Sequence, residues 1–253
     1  MMKRKNEKGH GRYFKPIPGN NPVLIPDTTI DPYYYVGLLE MTFPNDKSYF
    51  GTATLIAADK NATNSKYLLT CAHNLYDEDD GGEVRTVTFK RAYSDPNEPY
   101  GELLALSWHY PDGYPDVAIS KNADLQTISL LKIMENIDLD YAIVELESAV
   151  EIAGFPTIVV ESTESLENLE IQINGYGYFD ERMGHATGTI DEVGTNFLRY
   201  GITTDQGASG SALMKNDNRS IVGIHTRAVP NKDLNQGVRI TEAVNTQLRG
   251  WMV

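Results

Sequence analysis

The chain has 253 residues and a formal net charge of −13, from 22 Lys and Arg against 35 Asp and Glu. With no surplus of cationic side chains to neutralise phosphates, the charge balance argues against a nucleic-acid partner. A single cysteine, Cys71, excludes an intramolecular disulfide, so the fold must rest on its apolar core.

The 41% of hydrophobic residues suits a globular protein long enough to bury a sizeable core. The longest apolar runs are only strand-length, which predicts no membrane partner. The start, MMKRKNEKGHGRYFKP, is basic with no apolar stretch behind it. It lacks the h-region of a signal peptide, predicting a cytoplasmic protein as written, or a secreted one whose leader was removed.

In chain order, residues 1–32 are rich in Lys, Gly, Asn and Pro and read as an extended N-terminal arm. Short β-type runs then follow: 33–41, 49–58, 65–70, 84–92 and 102–108. Turn residues separate them at Pro44-Asn45-Asp46, Lys60-Asn61 and Asp79 to Gly82. Residues 123–137 carry apolar positions at helical spacing (Leu125, Ile128, Leu131) and predict a short helix. Strands resume over 141–146, 169–176, 186–193, 196–202, 211–215 and 220–226. The tail 240–252 predicts an amphipathic helix with Thr241 as its N-cap. Many short strands with one terminal helix point to an all-β barrel architecture.

Three stretches carry residues suited to acyl transfer, which needs a nucleophile, a base, a group to orient the base and donors for an oxyanion. In GITTDQGASGSALM, Ser209 lies between Gly207 and Gly210, small residues that permit a tight turn around an exposed hydroxyl. Such a turn can aim the N–H groups of Gly207 and Ser209 at one point. In KYLLTCAHNLYD, His73 follows a β-type run where a strand gives way to a loop. For the orienting carboxylate, Asp140 opens DYAIVEL, Asp116 opens the similar DVAIS, and Asp138 lies one alternation before Asp140. The residues alone leave these three open. A Gly/Ser hairpin, a structural histidine and solvated acids would account for each stretch taken singly.

Taken together, LLTCAHNL, LDYAIVEL and TTDQGASGSAL…SIVGIHT…NQGVRIT resemble the three active-site blocks of chymotrypsin-like serine proteases, and more closely the bacterial glutamyl endopeptidase branch. The resemblance runs from about Val23 to the C-terminus, with an expansion between residues 92 and 137. It implies two six-stranded antiparallel β-barrels and a C-terminal helix: barrel one over about 33–147, barrel two over about 148–239 and the helix over 241–251. It implies His73, Asp140 and Ser209 as a catalytic triad, with Asp140 favoured over Asp116 because the apolar tail of DYAIVEL also matches. It further implies an oxyanion hole from the backbone of Gly207 and Ser209, a peptide or protein substrate, no cofactor, no metal and a monomer. Three positions depart from the family pattern: Ala208 before the serine, Ala212 in place of a common proline, and Cys71 in place of a small residue.

In that branch a histidine on the strand after the nucleophile, and a Thr or Ser five positions before it, read an acidic side chain. His225 and Thr204 hold those positions, so cleavage after Glu, with Asp second, is expected. The branch also uses a mature N-terminal amine; VLIPD at Val23 resembles such a start, behind an unusual Pro22. The acids of 77–80 and Glu83 offer clustered oxygens for calcium, but their spacing matches no EF-hand loop and a solvated turn is expected. His109 and His185 have no second ligand at metal spacing and are assigned no role.

Overall fold

A computed structural model describes residues 16–120, 130–152, 154–230 and 232–253, with the backbone alone for 130–134. Two barrels carry the chain. The first opens after β1 (Val23–Leu24) with β2 (Val36–Thr42), β3 (Ser48–Ile56) and β4 (Asn64–Thr70). After the small hairpin of β5 (Tyr76–Asp77) and β6 (Gly82–Glu83), it continues with β7 (Thr86–Arg91), β8 (Glu102–His109) and β9 (Ala142–Glu151). These close in the order β2-β3-β4-β9-β8-β7. Side chains alternate along each strand, so β2 sends Leu39 and Met41 into the barrel core while Val36 and Leu38 join a second cluster with Phe50 and Tyr176.

In the second half come β10 (Thr157–Ile158), β11 (Glu170–Val193), β12 (Phe197–Tyr200), β13 (Ala212–Lys215), β14 (Ser220–Ala228) and β15 (Asn235–Arg239). The 24-residue β11 counts twice: its first part pairs with β13 and its last part with β12. The ring β11-β12-β15-β14-β13 thus returns to β11 and closes six strand positions. This is the predicted pair of six-stranded antiparallel barrels. Among the described residues four α-helices accompany them: α1 (Tyr114–Val117), α2 (Leu130–Leu139), α3 (Thr163–Leu166) and α4 (Glu242–Trp251).

In α4, the Thr241 side chain accepts from Val244 N–H, as the N-cap expectation required. Its Val244 and Leu248, with Met252 just past its end, enter a core shared by both barrels with Ile56, Leu69, Cys71 and Ile143 of one and Met214, Ile221 and Ile224 of the other. Among the described residues no helix is long and apolar enough to cross a membrane.

Several boundaries differ from the sequence expectation. Residues 33–35 form a 3-10 turn before β2, because the tyrosines follow Pro32. The strand Asn235–Arg239 was not expected, since its NQG start has no β-type composition; pairing with both β12 and β14 supplies the order instead. The helix expected over 123–137 is described only from Leu130, and runs to Leu139; residues 121–129 lie outside the described set. Residues 1–15 of the arm also lie outside it. The described part of the arm is bonded down: Thr203 Oγ1 accepts from Ile17 N at 2.9 Å and donates to Asn20 O at 2.6 Å.

Candidate active site

His73 sits in a 3-10 turn, Ala72–Asn74, at the end of β4, where the chain leaves the first barrel. Asp140 stands at the foot of β9, which pairs with β4 through Thr70↔Ala142. That register puts the acid beside the histidine turn. Asp140 Oδ2 lies 2.8 Å from His73 Nδ1, and Oδ1 accepts from His73 N–H at 2.9 Å. Both residues are buried. With a carboxylate, an acceptor only, facing Nδ1, that nitrogen carries the proton and Nε2 offers its lone pair.

Burial alone would raise the Asp140 pKa. Its contacts with His73, and the Arg227 guanidinium 3.5 Å from Oδ2, instead hold it down to about 2. Asp140 is therefore a carboxylate across the neutral range. Asp116 is exposed on α1, away from this pairing. Asp138 lies in α2 and not on a strand, which corrects the strand alternation expected for it.

Ser209 comes from the loop between β12 and β13, yet its carbonyl is held by the first barrel. It accepts from Thr52 N at 2.9 Å and from Asn74 Nδ2 at 3.1 Å. The serine is thus anchored to the residue that follows His73. Gly207 has φ +103° and Gly210 φ +88°, backbone conformations that glycine adopts freely. A Cβ on Gly210 would come 2.2 Å from Thr70 Oγ1 and 2.3 Å from Thr52 O. The loop therefore packs against the first barrel more closely than any side chain there would permit. Thr52 Oγ1 also donates to Gly207 O at 2.8 Å.

His225, on β14, is buried with its Nδ1 2.7 Å from Tyr200 Oη. Burial first, then the nearby His73, lowers its pKa to about 3 against a small opposing pull from Asp140. It is a neutral imidazole at ordinary pH. Its backbone frames the serine loop: His225 O accepts from Gly210 N at 2.9 Å, and its N donates to Ser211 O at 2.8 Å. Thr204 is fully buried, and its Oγ1 has no hydrogen-bond partner among the described residues.

The structure therefore brings His73 and Asp140 into contact and sets the Ser209 loop and His225 around them. Arg227 escaped the sequence reading: a bulge between His225 and Arg227 interrupts the alternation of β14, so no period-2 pattern signals it. Its Nη2 donates to Asn136 Oδ1 of α2 as well as facing Asp140. Cys71, one residue before the turn, is buried with Sγ 3.6 Å from His73 Nε2, and burial together with Asp140 raises its thiol pKa well above the ordinary value.

In the acidic stretch Glu78, Asp79 and Glu83 are exposed as the solvated turn required, and the expectation is corrected only at Asp77 and Asp80. Asp77 and Asp80 are fully buried, Asp77 capping its own 3-10 turn through Asp79 N and Asp80 accepting from Asn45 Nδ2 at 2.8 Å. His109 stacks on Trp251, and His185 Nδ1 meets Asn174 Oδ1 at 2.7 Å. Val23 is 60% exposed and pairs with His185.

The sequence profile of the trypsin-like peptidase domain matches residues 51–224, a span that holds His73, Asp140 and Ser209. The chain belongs to the trypsin-like peptidase family. No curated protein matches it. Among solved structures, this trypsin-like chain is similar to a Glu endopeptidase in complex with MPD, at 21% identity and TM-score 0.72 over 94% of this chain and 98% of that one. It is similar to the protease Anisep from Arthrobacter nicotinovorans at 15% identity and TM-score 0.60, over 81% and 90% of the two chains. It is also similar to a scabies mite inactivated protease paralogue at 12% identity and TM-score 0.60, over 87% and 94%. At these identities the likeness is one of fold.

Proposed function

We propose that this trypsin-like peptidase is an active serine endopeptidase working through His73, Asp140 and Ser209. Ser209 Oγ attacks the scissile carbonyl while His73 Nε2 takes its proton, and the N–H groups of Gly207 and Ser209 receive the oxyanion. The imidazolium then gives that proton to the leaving amine, and water releases the acyl group by the same steps in reverse. The observation that carries this reading is the doubly held His73: Asp140 Oδ2 on Nδ1 at 2.8 Å and Oδ1 on its backbone N–H. That pair fixes ring orientation and tautomer before any substrate arrives.

For specificity, cleavage after Glu, with Asp second, is the reading that His225 and Thr204 support. A neutral His225 that accepts the Tyr200 hydroxyl proton at Nδ1 carries its own proton on Nε2 and can donate it. Thr204 adds a buried hydroxyl in want of a partner. Two buried donors suit a carboxylate, because hydrogen bonds to an ionised acceptor are about twice as strong as neutral ones.

The deep burial of His73 and Ser209, 2% and 3% exposed, favours a second reading: a protease fold with a closed cleft, acting as a binding module. A fluorophosphonate probe on the full chain separates the two. Labelling at Ser209, absent in Ser209→Ala together with a fall in kcat on the order of 10⁶-fold, supports the enzyme. An unlabelled Ser209 with no peptide hydrolysis leaves the binding module.

A further inference from the structure

We propose that Cys71 Sγ and His73 Nε2 form a chelating site for a thiophilic divalent cation such as Zn²⁺, and that occupation of this site switches the peptidase off. The Sγ to Nε2 separation is 3.6 Å. Zinc bonds of roughly 2.3 Å to sulfur and 2.0–2.1 Å to nitrogen, set at the tetrahedral angle, place those two atoms roughly 3.5–3.6 Å apart. The pair already spans one edge of a zinc tetrahedron.

The second observation is Asp140. A metal-bound histidine commonly donates its other ring N–H to a carboxylate, which fixes the tautomer and strengthens the metal-facing nitrogen. His73 Nδ1 has that partner at 2.8 Å, leaving Nε2 as the ligand atom. Among the described residues, Cys71, His73 and Asp140 are the one group of three whose ligand atoms lie within 4.8 Å of one another. In the proposed role Asp140 stays behind the histidine and does not touch the ion.

On binding, the Cys71 S–H bond breaks, its proton goes to solvent, and the thiolate and the Nε2 lone pair each form a bond to the cation; nothing is oxidised or reduced. The buried thiol is a poor acid by itself, but a coordinating cation inverts that preference and deprotonates it outright. Two protein ligands leave two coordination positions for water, so occupation is reversible. Metal binding does not depend on the protease reading. Inhibition does, because the ion takes the lone pair that would receive the serine proton.

The test is a Co²⁺ titration of the full chain, followed by the thiolate-to-cobalt charge-transfer band in the near ultraviolet. Cys71 is the only cysteine, so such a band has one source. One equivalent should raise the band in the native chain and in Ser209→Ala; Cys71→Ala and His73→Ala should lose it. For hydrolysis, Cys71→Ala removes one of the two ligands and should raise the Zn²⁺ concentration for half-inhibition by more than the roughly 10–100-fold that loss of an outer-shell partner costs. No band in the native chain, or a band that survives Cys71→Ala, overturns the site; binding with undiminished hydrolysis overturns the switch. Should the native chain prove inactive without metal, the protease reading falls while the band still decides the site. Cys71→Ser, with a hydroxyl of similar size, guards against loss of folding in the alanine variant.

Discussion

The Arg227 guanidinium lies 3.5 Å from Asp140 Oδ2, the same oxygen that meets His73 Nδ1. A fixed positive charge is thus buried behind the carboxylate, held on its other side by Asn136 of α2. Removing one partner from a buried ion pair strands the other, at a cost of about 3–5 kcal/mol. Arg227→Met should lose stability on that scale in urea unfolding, and Arg227→Lys should recover part of it. Asp140 has a folded pKa below its unfolded one. Its contribution is therefore complete above about pH 4 and lost as pH falls toward about 2.

Asp140→Asn should lower kcat by about 10⁴, since an amide does not hold the imidazole in the required tautomer. Asp116→Asn, on an exposed residue, should leave kcat unchanged. Steady-state kinetics of the two variants on one peptide decide between the acids. A large loss in the Asp116 variant alone would reverse the assignment.

His225 makes the fold sensitive to mild acid. Its pKa is about 3 when folded against an ordinary 6.5, so below 6.5 the unfolded chain binds a proton that the folded chain refuses. Stability should therefore fall as pH drops from about 6.5 toward 3, by about 1.4 kcal/mol per pH unit from this residue. His225→Gln, which keeps a hydrogen-bonding side chain, should flatten the slope by about one proton in unfolding midpoints measured across that window.

Substrate preference gives a separate check. If Tyr200 donates to Nδ1 and so leaves the His225 proton on Nε2, then Tyr200→Phe should weaken the proposed Glu discrimination without touching His73, Asp140 or Ser209. His225→Ala should do so more strongly. The comparison is kcat/KM on matched peptides with Glu or Gln before the cut. Equal losses on both would show that His225 only supports the fold.

Much of this fold was legible in the chain. The period-2 run VTFK marks a strand because one face is core, and the apolar pair Leu68-Leu69 marks one whose two faces both enter cores. Thr241 ahead of Glu242 marks the start of α4 for a local reason, a side chain that bonds its own helix. What stayed hidden depends on tertiary partners. Strand Asn235–Arg239 has weak local preference and is ordered by its two neighbours. Asp80 looks like part of a wet turn until Asn45 and Lys47 reach it from the turn between β2 and β3. Within the site, histidine, aspartate and serine stood out through their flanking motifs. Arg227, Tyr200 and Asn74 act through contacts with residues 25 to 135 positions away, and no local pattern signals them.

Thr52 and Asn74 belong to one barrel and grip the backbone of a serine that belongs to the other. Neither half is therefore a self-sufficient module for chemistry. A chimera that grafts a relative's first half onto this second half inherits a working serine loop only if the donor brings an equivalent hydroxyl and amide, and leaves room for Gly210 beneath them. Thr52, Thr70, Asn74 and Gly210 touch one another at this seam, so a change at any one alters the room and the hydrogen bonds left to the rest.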